Sequence, residues 1–152
     1  MTEVFDMGLF QLIAGLFGKK SSASTLRQDI DEYSEWIMTA LNRSGYLADY
    51  TLESMNELDR FINAENNGII AGNRGLIIFA MGAYVGKTVI KLYGGDWITY
   101  DHDPEGELNI KVKLPDGTEM APVQKCLKRC KLGMEESLYS YVSVIPMIMG
   151  RQ

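Results

Sequence analysis

The chain has 152 residues, of which 46% are hydrophobic and 23% charged, with 15 Gly and 4 Pro; this is the make-up of one folded domain, and it excludes a fibrous repeat or a chain too polar to collapse. Lys and Arg number 15 against 20 Asp and Glu, a net charge of −5, which argues against general nucleic-acid binding because that affinity comes largely from cations neutralising phosphates. Two cysteines, Cys126 and Cys130, make neither a disulfide framework nor a four-ligand zinc site, so a reducing cytoplasm is the expected setting.

Residues 1–23 read as an amphipathic arm and linker, ahead of a single α+β domain over 24–150. The apolar stretch 7–17 is too short to span a bilayer, and it follows Glu3 and Asp6 where a secretory leader would carry positive charge. Leu9, Leu12, Ile13 and Leu16 fall at helical spacing with Phe10 and Phe17 beside them. Such a helix has three berths: its own domain, a partner or second copy, or a membrane surface aided by Lys19 and Lys20. No other membrane association is expected. Ser21, Ser22, Ala23 and Ser24, all small and mostly polar, read as the linker that follows it.

Thr25 with Gln28 forms a capping-box pattern, and Leu26, Ile30, Tyr33, Ile37 and Leu41 then recur every three or four residues, predicting a five-turn helix that Gly45 follows. A second helix is predicted over 51–64, with Leu52, Met55, Leu58 and Ile62 inward and Asn66, Asn67 and Gly68 after it. The third, over 73–93, carries apolar residues around nearly its whole circumference, the mark of a helix buried on most sides.

That third helix contains GAYVGKT at 82–88, whose ending is that of a phosphate-binding loop. Such a loop needs four residues between its glycines so that successive N–H groups wrap the phosphates. Only Ala83, Tyr84 and Val85 separate Gly82 from Gly86, and Met81 stands where the correct spacing requires glycine. A packing groove is therefore expected at the two glycines, with Lys87 and Lys91 on a solvated edge.

Beyond Gly94 and Gly95 the apolar period becomes two: Leu108, Ile110, Val112 and Leu114 alternate with Asn109, Lys111 and Lys113. With turns at DPEG and LPDG, this predicts a three-stranded antiparallel meander over 97–101, 107–114 and 118–121. The stretch DHDPEGELNIKV imitates a calcium loop at its early positions but ends in Val112 where a bidentate Glu belongs, so no metal site is assigned. His102 is the one histidine and has no nucleophile placed beside it, so no catalytic residue is assigned either. Pro122 suits the first turn of a helix to 132 with Gly133 as its stop, and a last helix is predicted over 135–145. Cys126 and Cys130 lie one turn apart in the former; packing is the expected role, against a redox switch lowered by Lys125, Lys128, Arg129 and Lys131.

GAYVGKTVIKLYGGDW and NIKVKLPDGTEMAPVQKCLKRCKLGMEESLYSYVSVI together resemble a family of bacterial domains of unknown function. Its pattern is a Gly-x-Tyr-x-Gly helix ending in Gly-Gly-x-Trp, strands, a Pro-opened basic helix, then Gly-x-Glu-x-Ser-Leu. Gly82, Tyr84, Gly86, Gly94, Gly95, Trp97, Pro122, Lys128, Arg129, Gly133, Glu135, Ser137 and Leu138 match it, within residues 73–145. The family's acidic residue after the second glycine is Lys87 here, so no role tied to a carboxylate there is carried over. The resemblance implies a small cytoplasmic bacterial α+β domain with no established activity, some of whose relatives look like interaction or immunity proteins.

The charge is unevenly spread. Over 29–65, nine carboxylates stand against Arg43 and Arg60, and over 96–107 there are five with no Lys or Arg. An acidic surface built from Asp29, Asp31, Glu32, Glu35, Glu53, Glu57, Asp101, Asp103 and Glu105 is the expected partner-binding face, suited to a basic protein whose arrival it would speed. The expectation is a non-enzymatic protein-binding domain, of the kind that inhibits a basic toxin or effector, without a cofactor and with oligomer formation left open. The alternative is a small-ligand or enzyme site between the meander and the helices, with Trp97, Tyr100, Asp101 and Asp103 at its mouth.

Overall fold

The computed structural model describes residues 24–150, so the N-terminal arm and its predicted helix lie outside the described residues. Helix α1, Leu26–Arg43, starts where the capping box requires: the Thr25 hydroxyl accepts from Gln28 N and the Gln28 side chain accepts from Thr25 N. Its inward stripe, Leu26, Ile30, Tyr33, Ile37 and Leu41, is buried as the spacing predicts, joined by Trp36 and Ala40.

Helix α2 is Ser54–Glu65, shorter at its start than expected, because Thr51 to Glu53 form a turn whose carbonyls accept from Ser54, Met55 and Asn56 N–H groups. A four-residue helix α3, Ile69–Gly72, has no counterpart in the expected elements; it buries Ile69 and Ile70 and links α2 to α4, Arg74–Tyr93. The latter is the hub, with α1 and α5 packed along it. By length and composition α4 would also cross a membrane, but 67% of its most apolar window is buried inside this fold. Each fully buried Ile, Phe or Met there stabilises by roughly 1.5–3 kcal/mol, enough to hold an element that leaves little polar surface for water.

Strands β1, Asp96–Ile98, β2, Lys111–Lys113, and β3, Glu119–Met120, form an antiparallel sheet in the order β1-β2-β3. Trp97 faces Val112, which in turn faces Met120. The expected strand over 107–114 is thus only its last part. Residues 103–109 instead make consecutive turns, with Gly106 N donating to Asp103 O and Asn109 N to Glu105 O. The LPDG turn forms as predicted, Gly117 N donating to Leu114 O.

Helix α5, Pro122–Leu132, begins with its proline in the first turn and stops at Gly133, φ +89°. The single last helix that the pattern predicts is in fact three pieces: a 3-10 turn Met134–Glu136, α6, Leu138–Ser143, and α7, Ile145–Met149. Pro146, expected just past the end, instead opens α7, since proline lacks only an N–H that a first turn leaves unbonded anyway. The described residues are α+β: seven α-helices and one three-stranded sheet.

Candidate functional site

GAYVGKT lies wholly within α4, and its glycines are the points of closest approach to two neighbours. A Cβ at Gly82 would stand 2.7 Å from Val123 Cα, at the start of α5, and one at Gly86 would stand 2.7 Å from Cζ3 of Trp97, on β1, and overlap the neighbouring Cη2. Tyr84, between them, is fully buried, stacks on Tyr50 at 4.7 Å between ring centroids, and donates its hydroxyl to Ser54 Oγ at 2.8 Å. It also accepts from Tyr50 N. That bond helps hold Tyr50 at φ +59°, a left-handed conformation rare outside glycine; nothing in the spacing of the sequence signals it. Lys87 is not simply a solvated edge residue. Its ammonium lies 3.3 Å from Glu35 and 3.7 Å from Asp31, and 5.4 Å from the Tyr50 ring centroid.

The expected acidic face does not form one uniform surface. Asp29 is 2% exposed and so is withdrawn from it. Asp31 and Glu35 share Lys87, and Glu35 also accepts from the Tyr50 hydroxyl. Glu57 is half-buried, binding the Arg60 guanidinium at 2.9 Å and accepting from Leu47 N. Glu32, Glu53 and Glu105 are exposed. Asp101 is a tie across the fold: its carboxylate accepts from Leu26 N at 2.7 Å, capping α1 from 75 residues away. Asp103 organises its own loop, accepting from Asn109 Nδ2 and from Glu105 N, and these bonds, the Asn109 one foremost, hold its carboxyl below the usual carboxylate range.

The basic residues of α5 are likewise divided. Lys125 pairs with Glu136 and lies 5.1 Å from the Tyr141 ring centroid, whereas Lys128 and Lys131 are exposed. Arg129 is buried. Its Nε donates to Asp59 Oδ1 at 2.8 Å, and its Nη2 donates to Asp59 O and to the Asn63 side chain. Asp59 also accepts from Leu138 N, Ser137 Oγ and Tyr139 N, at 3.1, 3.0 and 3.2 Å. The carboxylate therefore caps α6 and neutralises Arg129 at once, and a buried ion so fully bonded is a structural joint. Cys126 and Cys130 are free and buried. Burial pushes both thiols up, with each other's proximity adding to the effect at Cys126; that is opposite to the lowering a redox switch requires.

Of the residues expected at the mouth, Trp97 packs on Gly86, the Asp101 carboxylate is bonded to α1, Asp103 is bonded within its own loop, and Tyr100 is exposed. A groove does lie between the sheet's loop and the helices, but one step away. It has a volume of about 470 Å³. Helix α4 contributes Arg74, Gly75, Ile78 and Phe79; the loop contributes Pro104, Glu105, Glu107 and Leu108; α5 contributes Val123 and Leu127. Most of the lining is apolar; the loop side carries two carboxylates and the α4 side carries Arg74. Sequence reasoning assigns Glu105 to a partner and Ile78 and Phe79 to the core. It misses the groove because the alternating pattern predicts strand from residue 107 onward, which would turn Leu108 into the sheet instead of along the helices.

No protein-family model matches the chain, and no curated protein or solved structure matches it. The likeness drawn from its glycine, tryptophan and Gly-x-Glu-x-Ser-Leu patterns thus rests on those residues alone. Gly82, Tyr84, Gly86, Trp97, Arg129, Ser137 and Leu138 all have the packing or bonding roles described above.

Proposed function

We propose that the chain is a non-enzymatic domain that binds a protein partner, taking an amphipathic helical segment with basic flanks into the groove between α4, the 104–108 loop and α5. One observation carries this reading: the groove's apolar residues Ile78, Phe79, Leu108, Val123 and Leu127 lie beside Glu105 and Glu107 of the loop, two carboxylates against the single cation Arg74. Helix-in-groove recognition needs an apolar trough for anchors spaced three and four residues apart, and a charged rim sets orientation and partner choice. Exposed Glu32 and Glu53 add to the field that a basic partner would meet at long range. Within this reading, the finer proposal is an inhibitor of the immunity type, neutralising a basic toxin or effector in a bacterial cytoplasm.

The test places a photo-cross-linking residue at Leu127 and irradiates the chain in its native host. Adducts to one protein, through a segment with apolar anchors beside Lys or Arg, are the expected result. Illumination that yields no protein adduct at this position, while a control position elsewhere cross-links normally, would sink the reading.

A second reading has its own support: about 470 Å³ of mostly apolar groove falls in the size range of small-molecule sites, about 300–1,000 Å³. A thermal-shift screen separates the two, since a small ligand bound at 100 times its Kd stabilises by about 2.7 kcal/mol.

A further inference from the structure

The two helices that line the groove run in opposite directions. Gly82 of α4 lies against Val123, at the start of α5. Ile78, one turn back along α4, and Leu127, one turn on along α5, both line the groove, and Arg74, a further turn back along α4, stands at its far end. The loop closes the near end. Gln124 Nε2 donates to Asn109 Oδ1 at 3.1 Å, and Asn109 N donates to Glu105 O at 3.1 Å, which ties Glu105 to the first turn of α5. Two turns of helix separate the level of Gly82 from that of Arg74, about 11 Å at about 5.4 Å per turn. The negative and positive ends of the groove therefore lie along its length, not across it.

Both end charges are available to a ligand. Arg74 and Glu105 are exposed, and among the described residues neither side chain has a hydrogen bond or ion pair, whereas Glu107 is already engaged. A helix laid between them brings charges of its own, roughly half a positive charge at its N-terminus and half a negative charge at its C-terminus. Its two orientations in the groove are then unequal.

We propose that the groove reads the direction of the helix it takes: the partner segment lies antiparallel to α4, with its N-terminal end and a preceding Lys or Arg against Glu105 and its C-terminal end against Arg74. This rests on the groove being a peptide site and narrows the partner's chemistry. Anchors at helical spacing fill the stretch between the charges, where Ile78, Phe79, Leu108, Val123 and Leu127 lie. A basic residue ahead of those anchors is favoured, and one beyond them meets Arg74 and is rejected. Each helix end placed beside an opposite charge gains about two- to fivefold in affinity, so the two ends together set a preference of about tenfold.

The experiment uses the full chain and a synthetic peptide with Lys-Lys, then Leu at i, i+3, i+4 and i+7 on a helix of Ala and Gln, then a free carboxylate. The peptide is made with a nitroxide at one end or the other and added to isotope-labelled chain. The Leu108 and Leu127 amide signals are expected to shift. The N-terminal label is expected to broaden the Asn109 amide more than the Leu132 amide, and the C-terminal label the reverse. In the Glu105→Arg/Arg74→Glu chain, whose substitutions fall at exposed positions, that pattern is expected to invert. The single changes Arg74→Ala and Glu105→Ala are each expected to weaken binding by about two- to fivefold. Equal broadening at the two ends from either label, or a pattern that the charge swap leaves as it was, would overturn the directional proposal while the shifts at Leu108 and Leu127 keep the groove reading standing. If those two signals do not respond to the peptide, both fail.

Discussion

Trp97 occupies the space that a side chain at Gly86 would fill, its Cζ3 atom 2.7 Å from where a Cβ would be and its Cη2 closer still. The contact joins β1 to the middle of α4 and sets how closely the sheet lies on the core. Gly86→Ala gains helix propensity of up to about 1 kcal/mol, but overpacking at a contact this short costs about 1–3 kcal/mol, so the sign is net destabilising. Gly82→Ala is expected to be worse, because the obstructing atoms include the Val123 backbone, which cannot swing aside. Denaturant unfolding of both variants checks this. In a Trp97→Ala background the Gly86→Ala penalty is expected to vanish, and a penalty that persists would place the clash elsewhere.

Asp59 and Arg129 offer a harder test of the buried joint. Asp59→Asn keeps the shape but leaves Arg129, 2% exposed, without its counter-charge, and breaking a buried pair in this way costs about 3–5 kcal/mol. Replacing both, as Asp59→Leu with Arg129→Met, removes the stranded charge but leaves Ser137 Oγ, Leu138 N and Tyr139 N without their acceptor. The double variant, followed by urea unfolding, is expected to recover part of the loss and not all of it. Full recovery would mean that the capping of α6 contributes nothing.

The meander's attachment to α1 can be cut at one atom pair. Asp101→Ala removes the acceptor for Leu26 N, and loss of a helix N-terminal acceptor costs about 0.5–2 kcal/mol. Arg27 still holds β1 through Trp97 O at 2.7 Å and Asp96 at 3.1 Å, so the sheet stays in place. Faster amide hydrogen exchange confined to the first turn of α1 and to residues 99–107 is the expected pattern. Global acceleration would show that Asp101 supports the whole fold.

The helices are legible because each is decided by its own sequence: a capping box at Thr25, an apolar circumference over α4, Pro122 and Gly133 at the ends of α5. The reason for Gly82 and Gly86 is legible too, as a need for close approach, though the partners Val123 and Trp97 are not. What stays hidden are the long-range ties. Asp29, Asp59 and Asp101 look alike in a charge count, yet one is buried, one neutralises Arg129 and one caps a helix 75 residues away. Alternation over 108–114 matches a strand, but the Asp103 carboxylate draws Glu105 N and the Asn109 side chain into turns, and local hydrogen bonding of this kind competes directly with a sheet ladder. The groove follows from that competition, which is why a reading based on period alone does not find it.

Alkaline pH should unfold the protein through groups that burial keeps protonated. The Cys126 thiol and the Tyr84 hydroxyl are both fully buried and both raised from ordinary values of 9.0 and 10.0, desolvation being the largest cause in each. Below pH 9 both groups are protonated whether the chain is folded or unfolded, and their contribution is fully present. Above it the unfolded chain releases the thiol proton while the folded chain keeps it, so stability falls as pH rises, by up to about 1.4 kcal/mol per pH unit for one such group. Past pH 10 the tyrosine adds to the slope. Urea unfolding midpoints measured from about pH 7 to 11 check this, with a flat region followed by a decline that steepens. Cys126→Ala is expected to lower stability throughout, because it leaves a small cavity, and to make the decline between pH 9 and 10 shallower, the part that remains coming from Cys130, whose thiol burial also raises. A decline of unchanged slope between pH 9 and 10 in the variant would mean that Cys126 does not contribute to the alkaline limit.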